Sequence, residues 1–296
     1  MVLPERLRGS PLLVLSAFLF ALMAFFARSV AGQLSVGQLV CARFLIGLLF
    51  LAVYYPVTGT RPRMGRPALW AVRGVFGGAS VYCYFMAIDR LSLGPAVLLN
   101  SCWPLCAALF GLFIQERLNA NLVVGLMATT FGAGLVLWST VHTGPGLTPG
   151  MGALAGALSA VFSGAAVVAM RALRNDTDAS TIFLSFCVFG FLFGLPFALQ
   201  DWRPLEWSLL LPVLGVGLAS VAAQMTFTYA MGYVTAAAGG LTTQLTPAFS
   251  WVLGALLLGE PMEALAVVGA CVCMGGVLWG TGLAPRLLIP ASRPSG

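Results

Sequence analysis

The chain contains no lysine and a single histidine, His142. Its 15 basic residues are all arginine, its acids number 9, and charged residues make up only 8% of 296. A soluble domain carries about a quarter charged residues, so a soluble fold is excluded. Without lysine there is no phosphate-cradling loop ending in Gly-Lys-Ser/Thr, which excludes a pump driven through such a loop. A serine hydrolase needs a base beside its nucleophile. The lone His142 stands in a Gly/Pro-rich stretch, and no GxSxG elbow exists. Paired aspartates inside apolar sequence are also missing, so no enzyme is expected.

Cysteine is present but unhelpful for cross-linking. The 7 cysteines fall inside apolar stretches, and an odd number buried in oil is no disulfide framework. With one histidine they lack partners for a metal. They read as small packing residues, and neither metal nor cofactor is expected. The net charge of +6 comes without a basic stripe interleaved with aromatics, so no nucleic-acid partner is expected.

What the chain has is hydrocarbon: 59% hydrophobic residues and a mean hydropathy of +0.96. Windows of about 20 residues give ten spans, at 10–31, 36–56, 67–88, 92–114, 121–140, 150–171, 180–199, 207–230, 234–258 and 262–283. The first is long and lacks a small-residue cleavage pattern, so no removable leader is expected. Polar punctuation such as His142–Gly150 and Arg174–Asp178 leaves no room for a soluble domain.

The spans repeat. AVLLNSCWPLCAALFGLFIQE at 96–116 echoes GGLTTQLTPAFSWVLGALLLGE at 239–260, with Pro104 and Pro247 standing 143 residues apart (247 − 104). The same offset pairs Leu15-Ser16-Ala17 with Leu158-Ser159-Ala160, Arg28 with Arg171, Gly47 with Gly190 and Gly74 with Gly217. One inserted residue near Gly259 then pairs Glu116 with Glu260. This is an internal duplication. Five spans per half is an odd number, so the second half enters the membrane inverted, as in secondary transporters. The expected fold is an all-α polytopic membrane protein of ten helices in two inverted five-helix repeats. The first occupies 1–141 and the second 150–284, with a linker at 142–149 and a cytoplasmic tail at 285–296.

Orientation follows from arginine. With the N-terminus inside, ten arginines fall on inner loops and ends and three (Arg28, Arg90 and Arg203) outside. Both termini are therefore expected in the cytoplasm. Glycines at 152, 156 and 164, with Ala160, step by four along the sixth span and predict close backbone packing.

The prolines mark the candidate site. A proline cannot donate to the carbonyl four residues back, which frees the carbonyls of Asn100 and Thr243. In lipid such a group needs a partner. A kink healed by neighbouring hydroxyls and a wetted binding site are both open, and the doubling of the feature favours the site. The polar cavity candidates are Asn100, Trp103, Thr243, Thr246, Tyr82, Gln224 and Ser220. Tyr82 and Trp103 read equally well as core aromatics. Arg43 and Arg73 lie about two turns inside their spans. One reading has them snorkelling to the membrane edge; the other has them form a positive wall for an anionic substrate. The 9 acids all fall at span ends or in loops, which argues against a proton relay. Equivalence of Arg28 with Arg171 and of Glu116 with Glu260 allows two alternating gate pairs, Arg28–Glu260 outside and Arg171–Glu116 inside; the plainer alternative has each Glu favour the start of the following helix through its dipole and each Arg mark a membrane edge.

Residues 98–138 (LLNSCWPLCAALFGLFIQERLNANLVVGLMATTFGAGLVLW) and 243–279 (TQLTPAFSWVLGALLLGEPMEALAVVGACVCMGGVLW) resemble the EamA repeat of the drug/metabolite transporter superfamily. CARFLIG at 41–47 and RGVFGG at 73–78 resemble its second and third helices. The resemblance implies a central cavity lined by helices one, three, four, six, eight and nine, and alternating access. The function expected is a secondary transporter, facilitator or exchanger of small organic metabolites such as amino acids, in the bacterial inner membrane, as a monomer or homodimer. A drug exporter, or a non-transporting scaffold on the same fold, is the alternative.

Overall fold

The computed structural model describes residues 5–111, 120–143, 149–173, 177–230, 243, 245–260 and 263–280. Among these every regular element is a helix. They are α1 (Glu5–Ser29), α2 (Val36–Thr58), α3 (Pro67–Arg90), α4 (Leu93–Asn100), α5 (Trp103–Gly111) and α6 (Ala120–Thr143). Then come α7 (Pro149–Leu173), α8 (Ala179–Gln200), α9 (Trp207–Ala230), α10 (Leu245–Leu258) and α11 (Ala264–Gly280). Six of them (α1, α2, α3, α7, α8 and α9) are long and apolar enough to cross a membrane. Large apolar side chains such as Leu49, Val53, Leu211 and Leu256 are exposed on the outside of the bundle. That inside-out surface suits lipid as its solvent.

Helix starts follow local chemistry. Ser35 and Gln38 form a reciprocal capping box at α2, and Gln38 also holds the backbone of Arg203 at 2.7 Å. Asp178 caps α8, accepting from the Thr181 N–H at 3.0 Å and its hydroxyl at 2.7 Å, and from Ser180. Burial pushes this carboxyl up, but the hydrogen bonds outweigh it and hold Asp178 below its usual range. A depressed folded value means the cap is intact above the unfolded value of about 3.9 and is lost as pH falls through the lower folded value. Asp178→Ala should therefore lower stability by about 0.5–2 kcal/mol at neutral pH. The gap should close only in strong acid, as read by thermal unfolding in detergent across pH.

The halves pack against each other through equivalent contacts. Ser16 of α1 donates to the Ala223 carbonyl of α9 at 2.9 Å, and Ser80 of α3 donates to the Ser159 carbonyl of α7 at 3.0 Å. Adding 143 to 16 and 80 gives 159 and 223, so the same two positions meet in both contacts, with donor and acceptor exchanged. Glycines repeat the pattern. A Cβ at Gly74 would meet Phe189 and one at Gly217 would meet Ile46; a Cβ at Gly47 would meet Cys187 and one at Gly190 would meet Phe44. Thus α1 lies on α9, α3 on α7, α2 on α8 and α6 on α11. The small-residue face of α7 behaves as expected, with Gly156 against Leu99 and Gly164 against the backbone of Ala107.

The fourth span differs from a simple kinked helix. It is interrupted by a turn at Ser101–Cys102 between α4 and α5. Pro104 cannot bond the Asn100 carbonyl, and the chain tightens instead, with Cys102 N–H on the Leu99 carbonyl at 3.2 Å. Before Pro247, residues 231–242 and 244, the counterpart of Ser101, lie outside the described residues, as do the middle of the linker (144–148) and the tail.

Candidate functional site

The interruption in span four opens onto a central cavity of about 140 Å³, far more than the roughly 10–15 Å³ one water needs. From the first half it is lined by Arg43, Arg73, Ser80, Tyr84, Asn100 and Trp103. The second half contributes Ser163, Phe186, Gln224, Thr243 and Thr246. Apolar walls come from residues such as Phe20, Met23, Val167 and Phe227. On α7 and α9 the lining residues fall in the C-terminal halves. Compared with the helices expected to surround it, α2 and α8 are additions, through Arg43 and Phe186.

Most of the sequence candidates converge here, in different ways. Asn100, the last residue of α4, donates to Ser159 Oγ at 3.0 Å, and Ser80 and Ser163 pair their hydroxyls at 2.5 Å. Gln224 and Thr228 stack one turn apart, the threonine hydroxyl bonding the Gln224 carbonyl at 2.7 Å. Ser220 does not line the cavity but accepts from Arg43 Nε at 2.6 Å. Tyr82 is a correction. It faces away from the cavity, its ring 4.3 Å from that of Phe197, and Tyr84 lines the cavity in its place. Two residues on a helix are turned by about 200°, so only one of the pair can face inward.

The arginines do not snorkel. Arg43 and Arg73 are 4% and 5% exposed, and both sit on the Phe186 ring, their guanidinium carbons 5.5 and 4.3 Å from its centre. Arg43 also lies 5.4 and 5.6 Å from the rings of Phe44 and Phe85. Nε of Arg73 is buried with no hydrogen-bond partner among the described residues. A desolvated cation–π contact contributes about 2 kcal/mol or more, whereas burying an ion costs several. The ring contacts alone therefore do not offset two buried cations.

A charged cluster stands at the C-terminal end of α1. Arg28 Nε meets Glu260 Oε1 at 2.8 Å, Arg28 Nη1 bonds the Ile88 carbonyl at 3.1 Å, and Glu260 Oε2 takes the Leu93 N–H at 2.8 Å. The cluster ties the C-terminal ends of α1, α3 and α10 to the start of α4. Gly259, at φ 65°, makes it possible, because a left-handed residue ends α10 and turns Glu260 inward. Glu260 thus caps α4 rather than the helix that follows it in sequence. Its expected counterpart cannot be placed: Glu116 and the Arg171 side chain lie outside the described residues.

The family model for EamA-like transporters matches residues 7–138 and again 150–281, two intervals that begin and end at the 143-residue offset. The chain belongs to the EamA-like transporter family. Among relatives similar to this EamA-like chain is the pseudopaline exporter CntI of Pseudomonas aeruginosa strain UCBPP-PA14. It is 29% identical over 286 residues, covering 93% of this chain and 98% of that one. An uncharacterized transporter of Helicobacter pylori strain 26695 is 26% identical over 283 residues, covering 90% and 93%. A solved crystal structure matches with a TM-score of 0.67 at 22% identity, over 95% of this chain and 99% of that one, which shows the fold. This EamA-like protein is thus a duplicated, all-helical, multi-pass membrane transporter.

Sequence reasoning missed Ser80, Ser163 and Phe186. A signal existed for the second: Ser163 follows Ser159 by one turn on the small-residue face of α7.

Proposed function

We infer that this EamA-like protein is a secondary transporter that carries a small organic metabolite by alternating access, as a facilitator or exchanger. The observation that carries the reading is the central cavity, polar on its inner wall and lined by both halves. A cavity of that kind gives a scaffold nothing to do. The exchange of equivalent contacts between halves, together with five spans per half, supports ten membrane helices in two inverted repeats, 1–141 and 150–284. Arginine counting and bacterial relatives support the inner membrane with both termini cytoplasmic. Asn100, Trp103, Gln224, Thr243 and Thr246 are the substrate-facing residues, with Ser220 behind Arg43. The closed Arg28–Glu260 cluster lies at one end and the cavity toward the other. This supports an inward-facing state with its outer gate shut, Arg171–Glu116 being the matching inner pair. The relative named as a pseudopaline exporter supports outward movement of a metabolite.

No Asp, Glu or His is among the described residues that line the cavity, so those residues offer no proton relay. Purified protein in proteoliposomes should exchange a labelled metabolite, chosen by a thermal-shift screen across metabolite classes. The rate should be unchanged by an imposed pH difference at clamped voltage. Accumulation driven by the pH difference alone would overturn the facilitator reading, and absence of any protein-dependent flux would overturn transport.

A further inference from the structure

The repeat separates what the fold requires from what the site requires. Framework residues recur at the 143-residue offset: Ser16 with Ser159, Gly47 with Gly190 and Gly74 with Gly217. The two buried arginines do not. The counterpart of Arg43 is Phe186 and that of Arg73 is Val216. The first half therefore carries two cations where the second, built on the same packing, manages with a ring and an aliphatic. Packing does not demand them.

Both converge on one face of the cavity. They share the Phe186 ring, Arg43 is fixed by Ser220, and Arg73 keeps an unpartnered, buried Nε. Among the described residues no acid lines the cavity to neutralise them. Two like charges against one ring repel each other, and only an anion relieves both the repulsion and the missing hydrogen bond. A planar guanidinium matches a carboxylate in a two-pronged pair. The remaining polar wall, Asn100 with the Ser80–Ser163 hydroxyls, suits a neutral polar group, and the apolar wall of Phe20, Met23, Val167 and Phe227 suits a hydrocarbon part.

We propose that Arg43 and Arg73 anchor a carboxylate and that the metabolite carried is a net-anionic organic acid. Among the same described residues a free ammonium finds no counter-ion. Hydroxy, oxo or N-blocked acids are therefore preferred over zwitterionic amino acids, a narrower class than the small organic metabolites expected from the sequence. This rests on the central cavity being the substrate site.

The test uses full-length protein in detergent and three acids, 2-hydroxy-4-methylpentanoate, 3-phenyllactate and malate, each beside its primary amide. Leucine and inorganic phosphate complete the set. At least one acid should raise the melting temperature, with its amide, leucine and phosphate each at least about tenfold weaker, the equivalent of ~1.4 kcal/mol. Arg73→Met should lose the acid-induced shift, while Arg73→Lys keeps part of it. Ligand-free Arg73→Met should melt at or above wild type, as expected when a buried uncompensated ion is replaced by an apolar side chain. A merely structural arginine would instead give a lower melting point. No shift with any acid, an equal shift with amide, leucine or phosphate, or a shift retained in Arg73→Met would each overturn the anchor. Proteoliposome flux separates the two readings. Movement of amides or leucine but not acids leaves transport standing and removes the anchor. Acids that bind but never move leave the anchor and remove transport.

Discussion

Replacing Asn100 with leucine should reduce transport by at least about tenfold, the equivalent of ~1.4 kcal/mol, while leaving a folded protein. Asn100 ends α4 at the break in span four and faces the cavity. The fold does not depend on its amide. Ser159 keeps its bond to the Gly156 carbonyl at 2.7 Å, and Ser80 keeps its bonds to Ser163 and the Ser159 backbone. What is lost is a polar group in a largely apolar enclosure, where a substrate group left unpaired costs about 1–3 kcal/mol. Flux into proteoliposomes, with the melting temperature measured alongside, checks both parts. Normal flux by this variant would take Asn100 out of the site.

Breaking the closed end should be equally damaging. Glu260→Ala removes both the partner of Arg28 and the acceptor for the Leu93 N–H, so it should slow transport about tenfold or more. The ion pair alone would not do this: its side chains are 24% and 15% exposed, and partly screened pairs contribute about 0–1 kcal/mol. The carboxylate also sits at the N-terminal end of α4, where a helix dipole favours negative charge. Reversal of both charges, Arg28→Glu with Glu260→Arg, restores the pair but leaves Leu93 uncapped. Activity should therefore return in part, above either single variant. A double variant no better than the singles would sink the latch, and so would singles that transport normally.

The duplication was fully legible because framework residues recur in register, and the structure realises it as mirrored contacts such as Ser16–Ala223 and Ser80–Ser159. The six long spans, α1, α2, α3, α7, α8 and α9, were legible to within a few residues, since oil needs only counting. Which face of each helix turns inward was harder. In a membrane bundle lipid and core are both apolar, so α2 and α9 carry almost no amphipathic signature, and Tyr82 was placed on the wrong side of α3. The fate of Arg43 and Arg73 was not readable either, because a ring from the other half, Phe186, determines it. Asn100 and Gln224 were readable because polar side chains in hydrocarbon have few other reasons to be there.

The cross-half pairing also sets a timetable for making the protein. Ser16 waits for a partner 207 residues further along the chain; at about 5–20 residues per second of synthesis, that delay is roughly 10–40 s. Arg43 waits 177 residues for Ser220, carrying its charge through the insertion machinery before the shelter it will occupy has been made. The first half must therefore be held near the site of insertion, or shielded by other proteins, until the second arrives. Each half on its own is an unfinished surface, and a ribosome stalled after α6 leaves two arginines in hydrocarbon without Phe186, the ring they share.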